Sequence, residues 1–378
     1  MKKVRRKINS FKRRLREARM FAKSMHSTRH PILAQIVPVR RCNLSCTYCN
    51  EFDSTSPPVP LEEMLKRIDL LGGLGTTVIV LSGGEPTLHP GLGAIVRAIR
   101  QQGALAGLIT NGYLLTPERI QEFNGAGLDH AQISIDNVIP DETSKKSLKV
   151  LDRKLAWLAE HAEFAVTINT VLGGSSENPQ DALRIAERAR ELGFLSTVGV
   201  LHDHNGQAWK LTPEQTAVYE RILRFQDSIF SFAHYDRFQQ NVIGGEPNEW
   251  HCRAGSRYLY ICEDGLVHYC SQRRGRPGVP LEEYTQADLD KEFRRHKPCE
   301  PYCTISCVHQ TAMLDSFREA PHQTLVGILE RRTQQDPQFK PPAVLHALQW
   351  LFMHSRHRRL FNGVALRLLG ARSKRNSV

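Results

Sequence analysis

The sequence predicts an α/β fold: a partial (β/α)6 TIM-like barrel, followed by a small cysteine-rich domain and flanked by basic amphipathic helical tails. Six short, β-rich apolar runs alternate with amphipathic helical patterns between residues 34 and 201. Nearly continuous apolar strands of this length are typical of a parallel sheet that is buried on both faces. The nine cysteines fall into three groups of three, which favours metal or redox sites over a disulfide framework.

The elements follow one another in a regular order along the chain. The predicted strands cover residues 34–39, 76–82, 105–110, 130–136, 164–172 and 195–201. The predicted helices between them cover residues 61–71, 91–103, 116–127, 146–162 and 179–193. Several of these helices begin at Pro or Thr-Pro and end at Gly, as the start and stop signals of helices predict. Alternating strands and helices imply right-handed crossovers, and the predicted strands are too few for a complete eight-stranded barrel.

The positive charge of the chain is concentrated in its two tails. The net charge is +12, yet residues 1–30 carry +11 and residues 341–378 carry +7, so the region between them is acidic at −6. Residues 1–30 also contain one apolar stripe at helical spacing. The stripe consists of Val4, Ile8, Phe11, Leu15, Ala18, Ala22 and Met25. These patterns favour an anionic membrane surface as a partner, and basic helices packed on the acidic body are the alternative. Nucleic acid is disfavoured because no nucleic-acid-binding fold is recognisable.

The sequence also limits where the protein can reside. No apolar run reaches the roughly 18 residues that a membrane-spanning helix needs, and the N-terminus lacks the apolar core of a secretory signal. We therefore expect a cytoplasmic protein, with peripheral attachment to the inner face of the membrane if the tails bind lipid. We divide the chain into a helix at 1–30, a core at 31–240, a cysteine-rich domain at 245–315 and a helical tail at 316–378.

Polar or reactive residues lie at the carboxyl end of each predicted strand, which is where the active-site residues of β/α barrels are found. In chain order they are Cys42, Cys46 and Cys49; Gly83–Pro86; Thr110–Gly112; Ser134–Asp136; Thr167–Thr170; and His202–His204. For His202–His204 we favour loop residues beside a substrate pocket over a second metal site, because Asn205-Gly206 predicts a turn directly after them.

The first cysteine group has the spacing Cys42-x3-Cys46-x2-Cys49, and no other cysteine lies within the next 200 residues. Closely spaced thiolates hold zinc or iron–sulfur clusters. A structural zinc ion needs four ligands, so zinc is a weaker alternative that would require His26, His30 or His89. Three thiolates on a cubane cluster leave one iron open to a small molecule.

This CxxxCxxC motif, with Tyr48 before its last cysteine and GGEP one strand later, resembles the signature of the radical S-adenosylmethionine (radical SAM) superfamily. The resemblance implies a [4Fe–4S] cluster on Cys42, Cys46 and Cys49, with the amino and carboxylate groups of SAM on the fourth iron. Reductive cleavage of SAM would give a 5′-deoxyadenosyl radical that takes a hydrogen atom from the substrate. A one-electron reductant such as a flavodoxin or ferredoxin is the partner that this chemistry implies.

The resemblance further implies that residues at several strand ends contact SAM. Gly83 and Gly84 would let the backbone approach the methionine end, and Pro86 would fix the turn. Glu85 would pair with the ammonium group of SAM. The other candidate contacts are Tyr48, Thr110, Asn111, Ser134, Asp136, Asn169 and Thr170. For the last six of these, ordinary turn residues at strand ends are an equal alternative.

The later cysteines flank a predicted hairpin turn at Asp264-Gly265. This arrangement resembles the auxiliary-cluster (SPASM or twitch) extension of many radical SAM enzymes and implies a second [4Fe–4S] cluster. The candidate ligands are Cys252, Cys270, Cys299, Cys303 and Cys307, of which Cys252 and Cys270 are the firmest and Cys303 and Cys307 the next. We expect one auxiliary cluster rather than two, because the full extension has a CxxC start and more ligands. Cys262 falls within a predicted strand and is not expected to be a ligand, and zinc is the alternative metal.

The substrate cannot be identified from these motifs. The basic tails favour a membrane lipid or polyprenoid-type substrate, and a ribosomally made peptide is the alternative. The roughly 30 residues before the first strand are too few for an independent leader-binding domain, so a peptide substrate would require a separate binding protein. A non-catalytic iron–sulfur sensor or scaffold is the third and weakest hypothesis.

Overall fold

The computed structural model describes residues 2–174, 178–202, 208, 210–225, 236–320, 326 and 333. Nine strands occur within these residues: β1 (Leu33–Val39), β2 (Val78–Gly83), β3 (Leu105–Thr110), β4 (His130–Ser134), β5 (Ala165–Leu172), β6 (Leu195–Val200), β7 (Tyr258–Ile261), β8 (Leu266–His268) and β9 (Pro277–Pro280). The helices are α1 (Lys2–His26), α2 (Leu61–Gly73), α3 (Leu92–Gln101), α4 (Pro117–Ala126), α5 (Leu148–His161), α6 (Pro179–Glu191), α7 (Pro213–Leu223), α8 (Asp236–Gly244), α9 (Gln286–Arg294) and α10 (Ser306–Glu319).

All of these strands belong to one open sheet in the order β6-β5-β4-β3-β2-β1-β7-β8-β9. Strands β1 to β6 pair in parallel, each with its neighbour in sequence. The sheet is an unclosed partial barrel, which confirms the predicted fold class. The predicted strands agree with the observed ones to within about two residues, the usual uncertainty of element ends.

The cysteine-rich region extends this sheet. β7 pairs in parallel with β1, from Leu33 opposite Tyr258 to Ile36 opposite Ile261. The predicted hairpin then joins β7 to β8 in antiparallel fashion, with Gly265 at φ +81° in its turn. The boundary that we predicted near residue 245 therefore does not interrupt the sheet.

The two faces of the sheet differ in character because successive side chains on a strand point to opposite faces. On β1, Ala34 and Ile36 are fully buried and pack in the main core with Ile68 of α2. Gln35 lies on the other face, where its side chain donates to Ser82 Oγ at 2.6 Å and accepts from the hydroxyl of Tyr258 at 2.7 Å. The inner face of the partial barrel is thus more polar than the face that the helices cover.

The predicted N-terminal helix is present as α1, and its polar side is the side that contacts the body. Arg16 pairs with Asp129, a carboxylate with no exposed surface, and Arg16 Nε lies 3.1 Å from Asp129 Oδ1. Asn9 donates to Glu163 Oε2 at 2.5 Å. Of the predicted apolar stripe, Phe11 is 70% exposed whereas Met25 at the end of the helix is buried. The alternative of a basic helix on an acidic body therefore holds for the polar face, while most of the stripe faces outward.

Arg257 binds segments from the N-terminal and C-terminal parts of the described chain. Its buried guanidinium donates to Asp315 Oδ2 at 3.0 Å, to the carbonyl of His30 at 2.6 Å and to the carbonyl of Ser24 at 2.9 Å. The end of α1, the start of β1 and α10 are thereby fixed to the residue that precedes β7.

Within the described residues, no helix is both long enough and apolar enough to cross a membrane. The predicted C-terminal tail beyond residue 320, apart from 326 and 333, lies outside the described residues, as do Asp203 and His204.

We expect Asp315→Ala to lower the free energy of unfolding by about 3–5 kcal/mol, because the Arg257 charge would remain buried without its carboxylate. Arg318→Ala is the matched control, since Arg318 contacts the same carboxylate at 3.4 Å and its removal leaves the Arg257–Asp315 pair intact. It should therefore cost clearly less than Asp315→Ala. Denaturant unfolding measures both values. Equal costs for the two variants would show that the backbone carbonyls alone satisfy Arg257.

Candidate active site and cluster-binding thiols

The first three cysteines lie together in the loop that follows β1. This loop is held to its surroundings by backbone bonds from Cys42 N to Asp53 O at 3.1 Å and from Cys49 N to Cys46 O at 3.1 Å. Burial raises the pKa of the Cys49 thiol to about 11, and the nearby Cys46 thiol adds to the effect. Burial also raises the pKa of Cys42, with Glu85 and Cys46 contributing. The structure therefore places the three predicted thiols in one loop, with Cys46 near enough to Cys42 and Cys49 to affect their pKa values.

Polar groups surround two of these sulfur atoms. The backbone N–H of Leu44 donates to Cys42 Sγ at 3.4 Å, and Asn111 Nδ2 lies 3.7 Å from the same sulfur. Ser144 Oγ lies 3.4 Å from Cys46 Sγ. Donors of this kind stabilise thiolates, and hydrogen bonds to the sulfurs are among the factors that set the potential of an iron–sulfur cluster.

The two glycines of the GGEP segment are required by contacts within the protein. Gly83 has φ +108°, and a Cβ atom there would lie 2.4 Å from Val37 Cγ1. A Cβ atom on Gly84 would lie 2.0 Å from the carbonyl oxygen of Arg40. The resemblance implies that these glycines let the backbone approach a ligand, and this stays a prediction. The structure adds that both glycines permit the close approach of β1 and of the loop that follows it. Pro86 begins a short 3-10 helix, Pro86–Leu88, as its fixed φ favours.

Glu85 is fully buried and joins this segment to the end of β3. Its Oε1 accepts from Thr87 N at 3.0 Å and from Thr110 Oγ1 at 2.6 Å, and its Oε2 accepts from Asn111 N at 2.8 Å. Burial raises the pKa of Glu85 while these donors oppose the shift. Thr110 and Asn111 were predicted as direct ligand contacts, and in the structure both also bind Glu85.

Asp136, just beyond β4, is the centre of a second polar network. Its Oδ2 accepts from the hydroxyl of Tyr48, from Ser144 Oγ at 2.7 Å and from Lys146, whose Nζ lies 3.1 Å away. Burial disfavours the charge on Lys146, but the attraction of Asp136 and its other neighbours raises the pKa of the lysine well above its usual range. Ser144 and Lys146 were missed by the sequence analysis, because they lie in a loop without a motif and only the fold brings them to Asp136.

Two polar atoms in this network are buried and have no hydrogen-bond partner among the described residues. They are Asp136 Oδ1 and Asn137 Oδ1. Asp136, Asn137, Tyr48 and Ser144 also line a cavity of about 240 Å³. Because buried polar groups are normally paired, unsatisfied acceptors beside a cavity fit a ligand that brings hydroxyl or amino donors.

The remaining predicted contacts lie on two neighbouring strands. Ser134 on β4 is directly opposite Asn169 on β5, and both are partly exposed. Asn169 accepts from Thr197 Oγ1 at 2.9 Å. Thr170 is buried and, by strand alternation, points to the face opposite that of Asn169. Asn169 and Thr170 therefore cannot both face the inner side of the barrel.

Four of the later cysteines form a second thiol group. Burial raises the pKa of Cys252 to about 12, with contributions from Cys270 and Cys299. The pKa of Cys303 is raised well above its usual value by burial and by Cys252, Cys270 and Cys299. Cys252, Cys270, Cys299 and Cys303 thus lie near enough to one another to affect one another's pKa values, and we call them the four-thiol group.

Cys262 lies in the same buried cluster as Cys252 and Cys270, and Cys307 packs against that cluster, but their charged neighbours differ. Burial raises the pKa of Cys307 to about 11, and the charged neighbour that adds to the shift is Glu51. Cys307 lies in the first turn of α10. The predicted order of preference among Cys299, Cys303 and Cys307 as ligands stays a prediction. Cys262 directly follows β7 rather than lying inside it, and it approaches Asp264 and His268.

Another group with metal-binding residue types adjoins the four thiols. His251, His296 and Glu300 bring one ligand atom each to within 4.8 Å of the others. The Glu300 carboxylate also accepts from Cys252 N at 3.2 Å and from Lys297 N at 2.9 Å. Glu300 thereby holds the segment before Cys252 against the segment that follows Cys299.

The two thiol groups are connected by the loops that follow Cys49 and Cys270. Asn50 Nδ2 lies 3.4 Å from Gln272 Oε1. The hydroxyl of Tyr260 donates to Glu51 Oε1 at 3.0 Å. These contacts fix the second group against the inner side of the barrel beside the first.

Comparison with known proteins gives a consistent family. The model of the radical SAM superfamily matches residues 36–210. An AdoMet-dependent heme synthase of Methanosarcina barkeri is 30% identical over 258 residues, which are 61% of this chain and 73% of that protein. A PqqA peptide cyclase of Ruegeria pomeroyi is 28% identical over 281 residues, which are 68% of this chain and 72% of that protein.

Solved structures show the same fold. The crystal structure of Streptococcus suis SuiB bound to its precursor peptide SuiA has a TM-score of 0.50 at 14% identity. The match covers 69% of this chain and 64% of SuiB, so the chain spans slightly less than two thirds of that protein. The family model and the 30% identical relative confirm the predicted resemblance to the radical SAM superfamily, and the four-thiol group lies beyond the residues that the family model matches.

We expect Cys299→Ala to remove about half of the iron bound after anaerobic reconstitution, because a four-thiolate site would lose one ligand while the three-thiol site stays intact. Cys307→Ala and Cys262→Ala should leave the iron content unchanged. Iron and acid-labile sulfide per chain are the measurements. The assignment is wrong if Cys307→Ala loses as much iron as Cys299→Ala.

Proposed function

The chain belongs to the radical SAM superfamily of enzymes, which use a [4Fe–4S] cluster and SAM, and from this premise we propose that this member modifies a peptide. The observation that carries the proposal is the presence of two thiol groups, of three and of four cysteines, on one partial barrel that is related to PqqA peptide cyclase over 72% of that enzyme's length. The residues that hold each cofactor, and the substrate, are parts of the proposal.

Cys42, Cys46 and Cys49 would hold the cluster that binds SAM, and the four-thiol group would hold an auxiliary cluster. When bound, the reduced cluster and SAM supply the one-electron chemistry that removes a hydrogen atom from the substrate. The donor sets fit, because three thiols leave one iron for SAM and four thiols complete a closed cluster. Asn111, Ser144 and the backbone of Leu44 would orient the first set through their contacts to sulfur.

The protein's own residues would position SAM. Lys146 and Tyr48 hold one oxygen of Asp136, so the unpartnered oxygen of that carboxylate stays directed to accept from the hydroxyl groups of a ribose. Glu85 holds the GGEP segment to Thr110 and Asn111, which supports a role in shaping the site for the methionine end. Its pairing with the SAM ammonium group remains our prediction.

A peptide substrate is better supported than a lipid. SuiB, which has this fold, is bound to a precursor peptide in its crystal structure. The lipid hypothesis rested on the basic tails. However, α1 lies at the amino ends of the parallel strands, whereas the loop with Cys42, Cys46 and Cys49 lies at the carboxyl end of β1. Its partners Gly75, Asp129 and Glu163 precede β2, β4 and β5, whereas the thiols follow β1. A tetrapyrrole is the second candidate class, because the heme synthase is 30% identical to this chain.

The enzyme also needs an electron donor, and we propose a flavodoxin or ferredoxin for this role. The carboxylates of such an acidic protein would have to approach a basic surface near one of the thiol groups. Arg273 and Arg276 lie in the loop that follows Cys270 and are candidates for that contact.

We expect the reconstituted enzyme, with reductant and SAM, to form 5′-deoxyadenosine faster when its peptide substrate is present. The probes are synthetic peptides encoded by short reading frames beside the gene, with a tetrapyrrole and phosphatidylglycerol vesicles as the competing classes. Liquid chromatography with mass detection measures 5′-deoxyadenosine and any change in peptide mass. Stimulation by the tetrapyrrole or by the vesicles, with no peptide effective, would replace the peptide proposal.

We expect Tyr48→Phe to weaken SAM binding by roughly ten- to a hundred-fold with unchanged iron content. The hydroxyl connects Lys146 to Asp136, and a hydrogen bond to a charged group contributes about 1.5–3 kcal/mol. Tyr113→Phe is the control, because its hydroxyl donates to the carbonyl of Lys145 in the same region. Equilibrium dialysis with labelled SAM measures the affinities. A loss of iron in Tyr48→Phe would assign the tyrosine to cluster assembly instead.

A further inference from the structure

The outward side of α1 presents apolar side chains to solvent. Ile8 is 48% exposed, Phe11 70% and Leu15 44%. Their spacing of three and four residues places them on one side of the helix, which we call the outer face of α1. Exposed clusters of large apolar residues commonly mark interaction sites, so this face needs an explanation that the chemistry of the barrel does not supply.

The orientation of the helix is set by its polar side. The carboxylate of Asp129 has no exposed surface, and it binds Arg16 of α1 together with Arg100 of α3 at 3.3 Å. Glu163 binds Arg5 at 2.9 Å as well as Asn9. Rotating α1 to bury the apolar residues would take Arg16 away from the buried Asp129 carboxylate and would take Arg5 and Asn9 away from Glu163. The apolar side is therefore held outward by ion pairs.

Basic residues accompany the outer face. Lys7, Lys12, Arg14 and Arg19 are all exposed on α1. An exposed apolar stripe bordered by Lys and Arg is the pattern of a helix that lies in the interface of an anionic bilayer. The bordering cations are attracted to anionic headgroups, and the apolar side chains enter the boundary of the acyl chains.

We propose that the outer face of α1 attaches the protein to an anionic membrane surface. A second copy of the chain is disfavoured as the occupant, because two basic faces would meet. The segment at 341–378 is disfavoured for the same reason, since it carries seven basic residues and no acidic one. An anionic lipid surface complements both the apolar and the charged parts of the face.

The attachment would also fix the direction in which the active site faces. α1 crosses the amino ends of β2, β4 and β5, because it contacts Gly75, Asp129 and Glu163, which precede these strands. The first thiol loop lies at the end of β1, and strands of this length span about 20 Å. The bound protein would therefore hold the carboxyl ends of its strands, where the first thiol loop lies, away from the bilayer and accessible from water. The inference is independent of which substrate the enzyme takes.

The test uses the full-length reconstituted protein and vesicles of phosphatidylglycerol and phosphatidylcholine in equal parts. We expect co-sedimentation that weakens as the salt concentration rises, because screening reduces the attraction of the cations. The double variant Phe11→Glu with Leu15→Glu should bind at least about tenfold more weakly. It replaces two apolar side chains that would enter the bilayer with carboxylates that the anionic headgroups repel. Val150→Glu is the matched control, because Val150 is an exposed apolar residue on α5 and is 39% exposed.

Each outcome has a fixed meaning. Loss of vesicle binding in the double variant alone, with the melting temperature of the wild type, supports the proposal. Absence of binding by the wild type, or equal binding by the double variant, overturns it. A wild-type dimer that the double variant dissociates would assign the face to self-association. Tight binding to pure phosphatidylcholine vesicles would overturn the anionic part of the proposal.

A reporter separates the predicted orientation from simple adsorption. Phe11→Trp should be quenched by brominated lipids beyond the level of the wild type. Ile139 lies in the loop that follows β4, on the side of the carboxyl ends of the strands, and is 63% exposed. Ile139→Trp should show no added quenching. Added quenching at Ile139→Trp and none at Phe11→Trp would overturn the orientation.

Discussion

The parallel pairing of β7 with β1 is the constraint on which the rest of the described structure depends. It gives β1 a hydrogen-bonded neighbour on each side, β2 and β7, although about 180 residues separate those neighbours in sequence. The pairing carries Tyr258 and Tyr260 to the inner face, where their hydroxyls reach Gln35 and Glu51. The buried Arg257, which precedes β7, fastens the same junction to α1 and α10. The placement of the four-thiol group beside the three-thiol group follows from this one strand contact.

Two buried carboxylates that are surrounded by donors contrast with a third that is only half paired. Glu85 and Asp129 are carboxylates without exposed surface, and each is surrounded by donors that the fold supplies. Asp136 is different, because one of its oxygens is fully engaged and the other has no partner among the described residues. Burying an unpaired acceptor costs free energy that a bound donor restores, so the fold tolerates this cost where a ligand is to bind.

The sequence predicted the strands, the helices between them and the first thiol group, because each depends on local periodicity or on residues close in the chain. It also predicted the hairpin at Gly265. It did not predict that β7 would join the barrel sheet, since pairing of distant strands leaves no local pattern. Lys146 and Ser144 were missed for the same reason. The outward direction of the α1 stripe could not be predicted, because the deciding carboxylate, Asp129, is about a hundred residues away.

The sheet ends in two strands, β6 and β9, that have no strand partner on one side among the described residues. On the β6 side a helix occupies the neighbouring position. Gln239 Nε2 of α8 donates to the carbonyl of Val198 at 3.0 Å, and Phe238 of the same helix stacks on His309 of α10. A side chain that satisfies an edge carbonyl removes one of the acceptors that a strand of another molecule would need, so α8 protects β6 from unwanted pairing at that residue.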